Sequence, residues 1–144
     1  MIEFYRFTQV KNQLPQHWSL TEIEIDESSI NPGFQVWESL SQVVGVGLGI
    51  DPMYGEAFMD YPYILIIEAS NYYEAEGEWI AVRCEDVKSV KYVSSVHLVD
   101  WITKSLTITD CLELSGQELR LLELWIKKNS TNIQHKFVET LKKI

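Results

Sequence analysis

The chain has 144 residues, 46% hydrophobic and 23% charged, with a formal net charge of −9. These values suit one globular domain over residues 1–144, and the 12% aromatic content argues against disorder, because such side chains offset the entropy of ordering. The longest apolar run, Tyr63–Ile67, falls far short of the ~18–20 residues that cross a bilayer, which excludes a membrane-spanning helix.

Met1–Phe7 lacks the basic and apolar regions of a secretory signal, and Cys84 and Cys111 stand in no metal-like or redox-like spacing. They read as two thiols of a reduced compartment, so a cytoplasmic protein is expected. The charge is unevenly placed. Residues 1–87 hold fifteen acids against Arg6, Lys11 and Arg83, a balance of −12; residues 88–144 hold six acids against nine bases, a balance of +3. An acidic face repels phosphate backbones, which speaks against nucleic acid as a partner.

In chain order, Glu3–Val10 alternates loosely and predicts a strand, and Lys11–Trp18 a connection. Leu20–Asp26 alternates strictly and predicts a half-buried strand with Ile23 and Ile25 inward, before a turn at Asn31-Pro32-Gly33. Phe34–Val44 fits a helix, or a strand-like start followed by one, since Phe34, Trp37, Leu40, Val43 and Val44 recur at helical spacing. Gly45-Val46-Gly47-Leu48-Gly49 matches no phosphate-binding pattern and reads as a strand or bend where glycine admits a backbone or an aromatic ring. A turn is expected at Asp51–Gly55. Tyr63–Ala69 and Glu78–Cys84 predict an antiparallel hairpin whose tip is a loop at Asn71–Gly77. Val87–Val93 predicts a strand, Ser94 or Ser95 the cap of a short helix carrying Val96, Val99 and Ile102, and Leu106–Ile108 a further strand.

The C-terminal part is helical in pattern. Ser115-Gly116-Gln117-Glu118 is a capping box opening a helix with Leu119, Leu122, Trp125 and Ile126 on one face. Thr131–Gln134 repeats the signal ahead of Ile133, Phe137, Leu141 and Ile144. The expected fold is α+β: an N-terminal, mainly antiparallel sheet with one or two early helices, and two C-terminal amphipathic helices packed on it. The lysines of the last helices complement their macrodipoles.

No motif names a reaction. His17, His97 and His135 fall in separate segments without zinc-site spacing, no serine stands in a nucleophile elbow, and no catalytic residue, metal or cofactor is expected. His97 and Asp100 share a helix spacing that is commonly a surface coincidence. In Arg83-Cys84-Glu85, strand neighbours point to opposite faces, so activation of the thiol does not follow from the adjacent cation. The most suggestive stretch is Asp51–Glu78, which interleaves tyrosines and acids with no Lys or Arg. Asp51, Tyr54, Glu56, Asp60, Tyr72, Tyr73, Glu74, Glu76 and Glu78 are the candidate partner-binding residues, because tyrosine offers large contact area at low entropy cost and carboxylates steer a basic partner.

Tyr72-Tyr73 with its flanking glutamates resembles, over those few residues, the small acidic immunity proteins of bacterial toxin systems. The resemblance implies an inhibitor that neutralises a basic, nuclease-like toxin through acidic residues and paired tyrosines. The leading expectation is a non-catalytic acidic protein-binding module with a basic protein partner. The alternatives are a small hydrolase or transferase using carboxylates around Asp51, Glu56 and Asp60, and an assembly subunit whose C-terminal helices pack on another copy as a homo-oligomer.

Overall fold

The computed structural model describes residues 2–9, 33–50, 55–75 and 79–129. The expected strand at Leu20–Asp26, the turn at Asp51–Gly55 apart from its last residue, and the helix after Thr131 lie outside the described residues. The chain divides into two compact units, Met1–Glu38 with Tyr63–Tyr92 and Ser39–Pro62 with Val93–Ile144. The fold is α+β, with strands leading and helices following among the described residues.

Among the described residues, the first unit holds two three-stranded sheets. One has the order β1 (Ile2–Thr8), β3 (Tyr63–Ala69), β6 (Val87–Ser94); the other has β2 (Gly33–Val36), β5 (Trp79–Arg83), β4 (Tyr73–Ala75). Strand β3 is apolar on both faces, with Ile64 on one and Leu65, Ile67 and Ala69 on the other, all buried, so it takes the central place. It pairs antiparallel with β1 over seven positions, from Ile2 opposite Ala69 to Thr8 opposite Tyr63. Residues directly opposite share a face, so Phe4 lies with Ile67 on the inner side. There both sheets contribute to one core of Phe4, Val36, Leu65, Ile67, Ala69 and Val82, with Ile80, Val87, Val90 and Tyr92 packed against it. Paired backbone hydrogen bonds of 2.8 Å between Tyr5 and Trp37 tie β1 to the end of β2.

The expected hairpin of Tyr63–Ala69 with Glu78–Cys84 is not formed. β3 and β5 lie in different sheets, because β3 satisfies its two edges with β1 and β6. β5 instead takes its hairpin partner from within the expected loop: Tyr73, Glu74 and Ala75 pair with Ala81, Ile80 and Trp79.

The ambiguous stretch resolves into both of its readings, β2 in the first unit followed by α1 (Leu40–Gly47), which opens the second. Ser39 caps α1 by accepting the Gln42 N–H at 3.3 Å. The Ser41 hydroxyl, buried on this helix, donates to Glu113 at 2.9 Å and leaves Ser39 to donate to it, since each hydroxyl carries one proton. The glycine run is neither strand nor simple bend. Gly45–Gly47 complete α1, whose Val43, Val44 and Val46 are buried, and Gly49 follows at φ 79° to turn the chain. A Cβ on Gly47 would come within 2.3 Å of the Phe58 ring, so the expected close approach of an aromatic ring to a glycine is present, on a helix.

After α2 (Ala57–Asp60), a short 3-10 turn at Ser95–His97 leads into α3 (Leu98–Ser105). The strand expected at Leu106–Ile108 is replaced by α4 (Ile108–Leu112), because Thr107 and Asp110 form a reciprocal capping box. The box predicted at Ser115–Glu118 holds as read: the two residues exchange 3.1 Å hydrogen bonds and open α5 (Gly116–Asn129), which buries Leu122 and Ile126.

Burial on α4, followed by the nearby Asp110 charge, holds the Cys111 thiol above its ordinary value of 9.0. The raised value favours the protonated thiol in the folded state. Its stabilising contribution is full below pH 9 and falls as pH rises from there through the folded value. Site-resolved mass spectrometry should find Cys111 resistant to alkylation in the native chain and reactive after unfolding. Equal rates in both states would contradict this burial.

Candidate functional site

The described members of the acidic, tyrosine-rich stretch fall into two groups, one in each unit. Asp51, Tyr54, Glu76 and Glu78 lie outside the described residues.

In the two-sheet unit, β4 is one of the two outer described strands of its sheet, and its alternation separates Tyr73 from Glu74. Glu74 is opposite Ile80, hence on the core-facing side, yet it is exposed at the sheet margin. Tyr72 precedes the strand. It is 39% exposed and its ring lies 5.8 Å from that of Phe4, a rigid backing from the core. Its N–H donates to the Asn71 side chain at 2.9 Å, which fixes the approach to the strand.

Tyr73 is committed differently. It pairs with Ala81, and Arg83, two residues further along β5, is its diagonal neighbour on the same face. The Arg83 guanidinium accordingly sits 3.9 Å from the Tyr73 ring centroid, a cation–π contact, and reaches Glu85 at 3.8 Å. The Tyr73 hydroxyl donates to Asp86 at 3.5 Å. The two adjacent tyrosines therefore do not form one pair: Tyr72 accompanies Glu74, while Tyr73 is bound into an Arg83, Glu85 and Asp86 cluster. Strand alternation carried this signal in the sequence, but it needed the assignment of Tyr73–Ala75 as a strand.

In the helical unit, Glu56 and Asp60 are both exposed. The Asp60 carboxylate accepts the Glu56 backbone N–H at 3.2 Å and lies 2.7 Å from where a Cβ on Gly55 would stand, at φ 61°. Asp60 thus shapes the turn into α2. Glu56 lines a groove of about 620 Å³ in this unit, whose wall includes the stacked rings of Phe58 and Trp125, 4.6 Å apart and 27° from parallel. The groove was not legible as a site, because its residues come from four separated segments. Asp100, the candidate neighbour of His97, makes a 3.0 Å ion pair with Lys104.

Among the described residues, no three His, Cys, Asp or Glu side chains gather as a metal-holding group, and no helix is long and apolar enough to cross a membrane. Set against known protein families, curated proteins and solved structures, the chain gives no match.

Proposed function

We propose that this chain is an acidic protein-binding module that captures a basic protein, acting as an inhibitor or immunity-type protein toward a nuclease-like toxin. The observation that carries the reading is the exposed Tyr72, backed by the core residue Phe4 and accompanied by the exposed Glu74, in the part of the chain with a balance of −12. A rigid aromatic anchor beside a carboxylate supplies contact area and steering in one place. The exposed Glu56 and Asp60 lend the carboxylate-enzyme alternative no support, since Asp60 is engaged in holding its own turn.

The partner should be isolated by affinity capture from the source cell and titrated in purified form. Tyr72→Ala is expected to weaken binding by ~30-fold or more, the range of an interface hot spot. Glu74→Lys should slow association and flatten its salt dependence. Tyr73→Phe, which keeps the ring beneath Arg83, should bind as the parent does. Unchanged affinity in both Tyr72→Ala and Glu74→Lys, or a captured partner that is itself acidic, would refute the reading.

A further inference from the structure

Three large apolar side chains that water should disfavour converge on the groove of the helical unit: Met59 at 72% exposure, Val96 at 84% and Leu124 at 56%. Scattered exposed apolar residues are ordinary, but three around one concavity floored by stacked aromatics mark a contact surface. Its charge identifies the occupant. Two copies of a chain carrying −9 repel each other overall. Among the described lining residues, however, the groove carries one carboxylate, Glu56, and one ammonium, Lys128. A surface with one charge of each sign is balanced and self-complementary. Under a two-fold axis a patch meets its own copy, an arrangement that lets Glu56 of each chain face Lys128 of the other. A basic partner would find no carboxylate surplus here.

We propose that a second copy of this chain docks on this groove, forming a two-fold dimer in which Met59, Val96 and Leu124 of each chain cover those of the other. Apolar burial supplies the affinity and the Glu56–Lys128 pairs supply the register. This surface is distinct from the Tyr72 and Glu74 surface, and its salt response has the opposite sign. Salt screens repulsion between two negative chains and should strengthen the dimer, whereas it weakens capture of a basic partner.

Sedimentation equilibrium of the full chain over a dilution series tests it. The expected result is the mass of two chains at high concentration, shifting to one chain for Val96→Asp and for Leu124→Asp. Both positions are exposed, and Leu124→Gln gives the same readout should a buried-face charge disturb folding. Glu56→Lys and Lys128→Glu should each weaken the dimer, and the two together should restore it. A single-chain mass for the parent up to about 100 μM, beyond the micromolar limit of interfaces of ordinary size, overturns the proposal and assigns the groove to residues 130–144 or to a different partner. A dimer that survives Val96→Asp and Leu124→Asp forms elsewhere and overturns it as well. Failure of the charge swap to restore the dimer overturns the two-fold arrangement.

Discussion

Replacing Phe58 with alanine should destabilise the chain by ~3–5 kcal/mol, the range for removing a buried phenylalanine, and this would be a large share of a domain's ~5–15 kcal/mol. The ring is buried, stacks on Trp125 at 4.6 Å, and fills the space beside Gly47. Gly47→Ala probes the same contact from the other side. Gly47 is the last residue of α1, where alanine is favoured over glycine by at most the ~1 kcal/mol of a helix interior, so propensity alone predicts a small stabilisation. The new Cβ, however, would stand 2.3 Å from a ring that Trp125 holds in place. Overpacking of this kind costs ~1–3 kcal/mol, and it should win. The double variant Gly47→Ala, Phe58→Ala then separates the two terms. With the ring gone, the Cβ has room, and the double variant should be more stable than the summed single losses predict by ~0.5–3 kcal/mol. Chemical denaturation midpoints at constant slope measure all three. Strict additivity would show that the ring yields to the Cβ.

How far the sequence was legible depended on whether the deciding interaction was local. Tyr63–Ala69 was readable as a strand because β-branched and apolar residues fill both of its faces, and α5 because Ser115 and Glu118 lie three residues apart and cap it reciprocally. The partner of β3 was not readable. Choosing β1 over β5 depends on a seven-position match with residues 55–67 positions away, which no local pattern announces. Leu106–Ile108 misled because two apolar residues around a threonine fit a strand, whereas the deciding group, Asp110, lies beyond them. The alternating glycines misled in the same way. Their spacing suggests a strand, but Val43, Val44 and Val46 are buried at helical spacing and set the conformation through Gly47. For the candidate site, the residue types were found and their grouping was not. Tyr72 and Tyr73 are neighbours in the chain, and strand alternation places them in different environments, one on Phe4 and one beneath Arg83.

That separation makes Phe4 the residue where fold and proposed function meet. Phe4→Ala should cost ~3–5 kcal/mol, because the side chain is 1% exposed in a core drawn from both sheets. Phe4→Leu retains most of the apolar volume and should cost distinctly less. Both remove the ring on which Tyr72 rests at 5.8 Å, so their effects on partner binding should diverge from their effects on stability. If Tyr72 acts as an anchor held in place from behind, Phe4→Leu should weaken capture of the basic partner under conditions where the chain remains fully folded. Its loss should be non-additive with Tyr72→Ala, since the second substitution removes the group that the first one mispositions. Binding losses that simply add would mean that Phe4 supports the sheets alone and that Tyr72 keeps its orientation without it. The comparison needs only unfolding midpoints and titrations of the four variants, and it tests the anchor without altering any charged residue of the surface.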